Sequence, residues 1–338
     1  MRVVITEFMD RAAVAALAER FAVEYSPDLV DRPDALAREA ADADALIVRN
    51  RTQVRGALLG AARRLRVVGR LGVGLDNIDL DACAARGIEV IPATGANAQA
   101  VAEYVIAAAM LLLRGAYRST DVVASGAWPR SALSEGRELA GRTLGLVGFG
   151  GIGRLTGRLA RALGMRVVAC DPQIPGDSAV WHDEASVPRD LDALLSEADV
   201  VSLHVPLTAQ TRHLLDAARL GLMKRDAILV NTARGGVVDE RALAGALREG
   251  RLGGAALDVF AREPYVPVDP ARDLRSLDRV ILTPHVGSHT QASNRRMAER
   301  AIQNVVRALA GDVGGLDLLI FCCDYNNTVC SPGSIDRT

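Results

Sequence analysis

Residues 143–171 of the chain read TLGLVGFGGIGRLTGRLARALGMRVVACD, and this stretch specifies the class of fold. An apolar run typical of a buried strand is followed by glycines that fit the pattern G-x-G-x-x-G, then by a helix-period segment and a second apolar run. The glycine pattern alone is weak, because glycine-rich turns are common. Its position between a strand and a helix makes it a strong indication of a dinucleotide-binding βαβ unit.

The residues of this turn have separate physical roles. Gly148 allows the tight turn, Gly150 lets the backbone approach a pyrophosphate, and Gly153 lets the helix pack closely on the strand. At the end of the second apolar run, Asp171 would accept hydrogen bonds from both ribose hydroxyls and repel a 2′-phosphate. The pattern therefore predicts NAD rather than NADP as the cofactor. A structural turn with a helix-capping aspartate is the alternative.

Short apolar runs alternate with helix-period segments along the whole chain, which predicts an α/β fold with parallel sheets covered by helices on both faces. We expect two such doubly wound units. Buried strands are predicted at residues 3–5, 46–48 and 67–69 and, in the second unit, at 144–147, 166–170, 200–204, 227–230, 255–257 and 280–282. Helices are predicted at residues 11–20, 81–86, 97–123 with a break near Gly115, 152–163, 239–249 and 291–309.

Composition excludes several classes of function. A formal net charge of −1 provides no basic field for nucleic acid or an anionic membrane. The N-terminus lacks the apolar stretch of a signal peptide, and the most apolar segment, residues 101–113, is too short to span a bilayer. Five cysteines without metal-ligand spacing predict no metal site and a reducing, cytoplasmic compartment.

The length of 338 residues suits two domains. We expect a substrate domain of residues 1–97 plus about 289–312, because the last predicted helix can pack back on the first unit. The NAD-binding domain would then comprise residues 98–288. Residues 313–338 form an atypical tail that holds three of the five cysteines.

Three later segments each place a polar residue just after a predicted strand, at the carboxyl edge where such sheets bind ligands. Arg234 offers a planar, two-pronged donor for a carboxylate. His285 can take a hydroxyl proton as hydride leaves, and Glu263 can stabilise the imidazolium. Taken singly, each has a plain structural alternative: a surface arginine, a turn residue and a loop histidine. His204, at the end of a strand, is interpreted as structural.

Five segments carry a resemblance to a known family: GRLGVGLDNID at 69–79, ATGAN at 93–97, NTARGG at 231–236, DVFAREP at 258–264 and TPHVGS at 283–288. With them, the chain resembles the D-isomer-specific 2-hydroxyacid dehydrogenases from about residue 46 to 307. It is most similar in appearance to the 3-phosphoglycerate dehydrogenase branch and to 3-sulfolactate dehydrogenases.

The resemblance implies a Rossmann NAD-binding domain, a flavodoxin-like substrate domain, and hydride transfer between NAD and C2 of a small 2-hydroxy acid, giving a 2-keto acid. Arg234 would orient the substrate, with His285 as acid and base and Glu263 as its partner. Amides of Val73 and Gly74 would hold the substrate carboxylate. Further implied NAD contacts are Gly151, Ile152, Thr211, Thr232, Ala233, Arg234, Asp258 and His285. Helices around 97–123 would form a homodimer, with Trp128 in a loop that reaches the partner.

The identity of the substrate is suggested by residues 48–55, VRNRTQVR, which follow a predicted strand. Arg49 or Arg51 could bind a second anionic group, which makes 3-sulfolactate and 3-phosphoglycerate the natural candidates. A solvated loop is the alternative, and glycerate or lactate remains open. An NAD-sensing transcriptional corepressor, in which the ligand reports redox state, is a different class of function that these residues do not exclude.

Overall fold

A computed structural model describes residues 1–311. The chain divides into two compact units, one made of Met1–Asn97 together with the chain from Asn294, the other of Ala98–Ser293. The predicted tail at 313–338 lies outside the described residues.

The first unit contains a five-stranded sheet in which all strands are parallel. Its strands are β1 (Arg2–Ile5), β2 (Ala22–Tyr25), β3 (Ala45–Val48), β4 (Val67–Arg70) and β5 (Glu89–Pro92). They lie in the order β2-β1-β3-β4-β5, which is the flavodoxin-like order. The helices are α1 (Arg11–Ala18), α2 (Pro33–Ala41), α3 (Gly56–Ala61) and α4 (Leu80–Ala85).

The last helix, α12 (Gln291–Leu309), completes the core of this unit. Met297, Ala301 and Val305 are buried in the same cluster as the inward side chains of β1 and β3. A Cβ at Gly69 of β4 would lie 2.7 Å from Cγ2 of Val305. Glycine at this position therefore allows the helix to approach the sheet closely.

The second unit contains a seven-stranded parallel sheet. Its strands are β6 (Thr143–Val147), β7 (Arg166–Cys170), β8 (Val187–Pro188), β9 (Val200–Leu203), β10 (Ile228–Asn231), β11 (Gly254–Leu257) and β12 (Val280–Leu282). The order is β12-β11-β10-β9-β6-β7-β8, a Rossmann arrangement extended by one strand. The strand order reverses between β6 and β9, so ligands are expected at the carboxyl ends of these strands.

Helices α5 to α11 belong to this unit. They are α5 (Ala98–Arg114), α6 (Thr120–Ala124), α7 (Gly151–Ala162), α8 (Ala179–Asp183), α9 (Leu191–Glu197), α10 (Ala217–Leu222) and α11 (Glu240–Arg248). The predicted break near Gly115 is present, with φ at +69°. Within residues 1–311, no helix combines the length and the hydropathy needed to cross a membrane.

The predicted α/β class with two doubly wound parallel sheets is confirmed. Sequence reasoning missed three strands, β2, β5 and β8, and each of them is at an edge of its sheet. Edge strands have one neighbour instead of two, and these three are short or interrupted by polar residues and proline. They therefore lack the continuous apolar run that identified the central strands.

Candidate active site

The predicted glycine turn directly follows β6. Gly148 has φ of +93°, in the left-handed region that favours glycine. A Cβ on this residue would lie 2.6 Å from the carbonyl oxygen of His204, and one on Gly153 would overlap the carbonyl oxygen of Gly148. Burial lowers the pKa of His204 to about 4, and its Nε2 atom lies 3.0 Å from Oγ of Ser202. His204 is thus a neutral, structural residue that shapes the turn.

The next two glycines have the opposite environment. A Cβ on Gly150 or Gly151 would meet no atom within 4 Å among the residues that the structure describes. Their backbone at the start of α7 is therefore open to a ligand, and Ile152 follows in the first turn. Free N–H groups and the positive end of the helix dipole make this a suitable position for a pyrophosphate.

Asp171 follows the carboxyl end of β7, as predicted. Its Oδ2 atom accepts a hydrogen bond from Phe149 N at 2.8 Å, and Oδ1 accepts one from Gln173 N at 3.0 Å. The carboxylate therefore also ties the glycine turn to the end of β7. Its position at the edge of the turn fits a ribose.

The other predicted cofactor residues of this unit differ in what they contact. The Thr211 hydroxyl accepts from Thr208 N at 2.7 Å and donates to Pro206 O at 2.6 Å, within its own loop. Thr232 Oγ1 is buried and has no hydrogen-bond partner among residues 1–311. Buried polar atoms are nearly always paired, so this hydroxyl fits a site where a ligand supplies the partner. Ala233 N is already bound to Asn231 Oδ1, at 3.0 Å.

Arg234 follows β10 in an extended conformation. Asn231 Nδ2 donates to the Arg234 carbonyl at 3.0 Å, and Nη1 of Arg234 donates to the Ala233 carbonyl at 2.6 Å. The next residue, Gly235, has no room for a side chain, because its Cβ would overlap the backbone of Phe260. The arginine loop and the loop after β11 are therefore packed directly on each other.

The structure brings Glu263 and His285 together. Nδ1 of His285 lies 2.8 Å from Oε2 of Glu263, and both side chains are about one-third exposed. Burial raises the pKa of Glu263, but the hydrogen bond and charge of His285, Phe260 N and the charge of Arg234 outweigh it and hold the pKa below its usual range. With Nδ1 bound to Glu263, Nε2 is the imidazole atom that can exchange a proton with a ligand.

Asp258 fixes the loop that carries His285, a role that sequence reasoning missed. Its buried carboxylate accepts from Val286 N at 2.8 Å, Gly287 N at 2.7 Å and Thr283 Oγ1 at 2.6 Å. These bonds hold the loop while His285 has φ of +57°, which is rare for a residue with a side chain. The hydroxyl of Tyr104, from α5, lies 2.6 Å from Thr283 Oγ1 and extends the network.

The predicted substrate residues of the first unit follow β3 and β4. Val73 is exposed and Gly74 partly exposed, in the loop after β4. Asn77 links this loop to the one after β3, because its Nδ2 donates to the carbonyls of Arg49 at 2.8 Å and Thr52 at 2.6 Å. Sequence reasoning did not identify this link, which joins residues that are far apart in the chain.

Arg49 and Arg51 have different surroundings. Arg49 is buried; its Nη1 donates to Phe8 O at 3.3 Å and its Nη2 to Asn294 Oδ1 at 3.4 Å. Arg51 is exposed and forms an ion pair with Asp31. The carboxylate of Glu7 accepts from both backbone amides, at 2.9 Å and 3.3 Å, and so organises the loop.

Comparison with known proteins identifies the family. Residues 106–287 match the family described as D-isomer specific 2-hydroxyacid dehydrogenase, NAD binding domain. The chain belongs to this family. The resemblance seen in the sequence is thereby confirmed, as is NAD as the cofactor.

The similarity extends over nearly the whole chain. The chain is 52% identical to an (S)-sulfolactate dehydrogenase from Chromohalobacter salexigens, over 91% of this chain and 98% of that protein. It is 37% identical to a D-3-phosphoglycerate dehydrogenase from Methanocaldococcus jannaschii, over 93% of this chain and 58% of that protein. A D-lactate dehydrogenase from Aquifex aeolicus, solved with NAD and lactic acid, superimposes with a TM-score of 0.83 at 30% identity, covering 95% and 100% of the two chains.

These relatives support the predicted reaction. The chain is an oxidoreductase that transfers hydride between NAD and C2 of a small 2-hydroxy acid.

Proposed function

We propose that this dehydrogenase acts on a 2-hydroxy acid with a second anionic group, with 3-sulfolactate favoured over 3-phosphoglycerate. The identity of 52% to a sulfolactate dehydrogenase over nearly its full length supports this choice. The pairing of His285 with Glu263 at 2.8 Å supports the chemistry, because an imidazole held through Nδ1 is a suitable acid and base for a hydroxyl proton.

In the proposed mechanism, Arg234 binds and orients the substrate carboxylate, to which the amides of Val73 and Gly74 also donate. A guanidinium suits this role because its two-pronged donor matches a carboxylate. His285 Nε2 takes the hydroxyl proton during oxidation and returns it during reduction. Glu263 stabilises the imidazolium formed in between. The chemistry that bound NAD would supply is a nicotinamide ring able to take the hydride released from C2.

For the cofactor, we propose that the amides at the start of α7 bind the pyrophosphate and Asp171 binds the adenosine ribose. The open backbone of Gly150 and Gly151 supports the first role. The Thr232 hydroxyl, which has no partner among residues 1–311, supports a contact of this residue with NAD. The remaining proposed contacts are Gly148, Ile152, Gly153, Thr211, Ala233, Arg234, Asp258 and His285.

The second anion is proposed to bind Arg49 or Arg51. Both follow β3 and are organised by Glu7, which supports a shared loop for the far end of the substrate. Arg51 has the exposed guanidinium, whose present partner is the carboxylate of Asp31. A sulfonate or phosphate at Arg51 would therefore compete with Asp31.

Assembly as a homodimer through the helices around 97–123 is a further part of the proposal. Several large apolar side chains at or near these helices are exposed: Met110, Tyr117, Val122, Val123 and Trp128. Trp128 is 77% exposed. Clustered exposed apolar residues of this kind mark interaction surfaces in soluble proteins.

We also propose a cytoplasmic location. Cys83 and Cys170 are free thiols, and burial raises the pKa of Cys83 to about 11, so it is unreactive. Free thiols are typical of reducing compartments. Recovery of the protein outside the cytoplasmic fraction of fractionated cells would contradict this assignment.

The substrate proposal is tested by initial rates of NADH formation with both enantiomers of 3-sulfolactate, 3-phosphoglycerate, glycerate and lactate. We expect the highest kcat/KM with a dianion, and with sulfolactate above phosphoglycerate. A higher kcat/KM for lactate or glycerate would replace the proposal with a dehydrogenase of simple hydroxy acids. Absence of turnover with every acid, despite NAD binding, would favour a sensing role.

A further inference from the structure

Two successive amides in the loop after β11 are each bound by a different carboxylate. Phe260 N donates to Glu263 Oε1 at 3.2 Å, within the loop itself. Ala261 N donates to Oε1 of Glu240 at 2.5 Å. The Phe260–Ala261 peptide, which precedes Glu263 by two residues in the same loop, is therefore bound by a second glutamate from another element.

Glu240 is well suited to fix this peptide. It is the first residue of α11, is only 7% exposed, and follows the N-cap Asp239, which binds the amides of Arg241 and Ala242. A side chain that is buried at the start of an anchored helix has little freedom. Gly235, in the arginine loop, packs against this same Phe260–Ala261 backbone and leaves no space for a Cβ. The Phe260–Ala261 peptide thus lies between the arginine loop and the start of α11.

The charges around Glu240 link it to the acid–base pair. Burial raises the pKa of Glu240, and the hydrogen bond from the Ala261 amide lowers it. The charges of Asp239 and Glu263 also raise this pKa, whereas the charge of His213 lowers it. The pKa of Tyr265 is raised by its burial and also by the charge of Glu240. Glu240 therefore has both a charge effect and a geometric effect on this loop, and different variants separate the two.

We propose that Glu240 is a positioning residue of the dehydrogenase, which holds the Phe260–Ala261 peptide so that Glu263 meets His285. This inference rests on the proposed acid–base role of His285. The carboxylate of Glu240 acts through its hydrogen bond to Ala261 N and makes no contact with substrate. It belongs to the segment VVDER, which follows the catalytic arginine, and no pattern in the sequence separates it from an ordinary first-turn glutamate.

Two substitutions separate geometry from charge. Glu240→Gln keeps the length and an acceptor oxygen for Ala261 N but removes the charge. Glu240→Asp keeps the charge, which suits a helix N-terminus, but is one methylene too short to reach Ala261 N. Asp216→Ala is the control for loss of stability, because it removes a carboxylate-to-amide bond, to Arg219 N at 2.9 Å, that caps the start of another helix, α10.

We expect Glu240→Asp to lower kcat about tenfold, as the loss of one hydrogen bond does. It should also shift the limb of the pH profile, the range in which the rate of keto-acid reduction falls as pH rises, to lower pH. Glu240→Gln should retain most of the kcat and the wild-type limb. In a Glu263→Gln background, Glu240→Asp should move the limb no further. Asp216→Ala should lower Tm without moving the limb.

Three results would overturn the proposal. A loss for Gln that equals or exceeds the loss for Asp would show that the charge of Glu240 matters and not only its reach to Ala261 N. The other two are no loss for either variant, and a lower Tm with an unmoved limb, which indicates a purely structural role. His285→Ala, measured in parallel, keeps the two hypotheses apart. Near-normal turnover of that variant would remove the acid–base role itself. An inactive His285→Ala combined with any of the three results would remove only the role of Glu240.

Discussion

Nδ1 of His285 lies 2.8 Å from Oε2 of Glu263, although the two residues are 22 positions apart in the chain. They meet because their loops leave the carboxyl ends of β11 and β12, which are hydrogen-bonded neighbours in the sheet. The contact determines how the imidazole is used. Glu263 binds Nδ1, which leaves Nε2 as the ring nitrogen that can exchange a proton with a ligand.

Glu263→Gln should change the pH dependence of both directions of the reaction. The pKa of Glu263 is held below its usual range, so at neutral pH the residue is a carboxylate that stabilises imidazolium. Without this charge, reduction of the keto acid, which needs imidazolium, should decline at a lower pH than in the wild type. Oxidation, which needs neutral imidazole, should extend to lower pH. Rates in both directions over a pH series measure this.

The control for that experiment is Arg262→Lys, an exposed neighbour in the same loop. It should leave both pH profiles in place. If the profiles of Glu263→Gln also coincide with those of the wild type, Glu263 does not act on His285 as described.

Asp171→Asn and Asp171→Ser should both shift cofactor preference toward NADP, because both remove the charge that repels a 2′-phosphate. Loss of a charged hydrogen-bonding group is worth roughly 1.5–3 kcal/mol, so NAD binding should weaken by about one to two decades. The two variants differ in the bond to Phe149 N, which Asn can keep and Ser cannot make at the same distance. Asn should therefore retain a higher Tm. Kd values for NAD and NADP provide the readout, and an unaltered ratio in both variants would remove Asp171 from this role.

The ion pair of Arg51 with Asp31 leads to a prediction about substrate charge. Arg51→Ala should lower kcat/KM for a dianionic acid by roughly 10- to 150-fold and leave lactate or glycerate nearly unchanged, since one charge-assisted contact is lost. Asp31→Asn should raise kcat/KM for the dianion, because it frees the guanidinium. Arg49→Ala tests the other candidate in the same way. Equal losses for dianion and monoanion, or none, would return these arginines to a structural role.

The exposed apolar side chains at 110–128 lead to a prediction about assembly. Val122→Asp or Trp128→Ser should shift the protein from dimer to monomer, because a charge or a small polar group replaces apolar area at the contact. Val268→Asp is the control, since Val268 is an exposed apolar residue elsewhere in the same unit. The molar masses of the wild type and the variants, measured by light scattering during gel filtration, test this prediction. A monomeric wild type, or a dimer that survives both substitutions, would contradict the proposed interface.

Local patterns were sufficient to predict the fold class and the position of the glycine turn, and they placed Arg234, Glu263 and His285 after neighbouring strands of one sheet. The turn could be recognised because its residues are contiguous, and the trio because parallel strands bring their carboxyl ends to one edge. Contacts between distant segments could not be predicted. The Tyr104–Thr283 bond joins residues 179 positions apart, and the Glu240 carboxylate reaches an amide in another loop. Such pairs leave no periodic signal, because each depends on the three-dimensional packing of elements that the sequence specifies separately.

In the proposed mechanism, His285 exchanges the substrate proton. The most direct measurement is the kcat of His285→Ala for NADH formation with the preferred 2-hydroxy acid at saturating NAD, with the Kd for NAD measured alongside. We predict a fall in kcat of about 10²- to 10⁴-fold, the usual contribution of a general acid or base, with NAD still bound. Near-normal kcat in this variant would show that His285 is not the acid and base of the reaction.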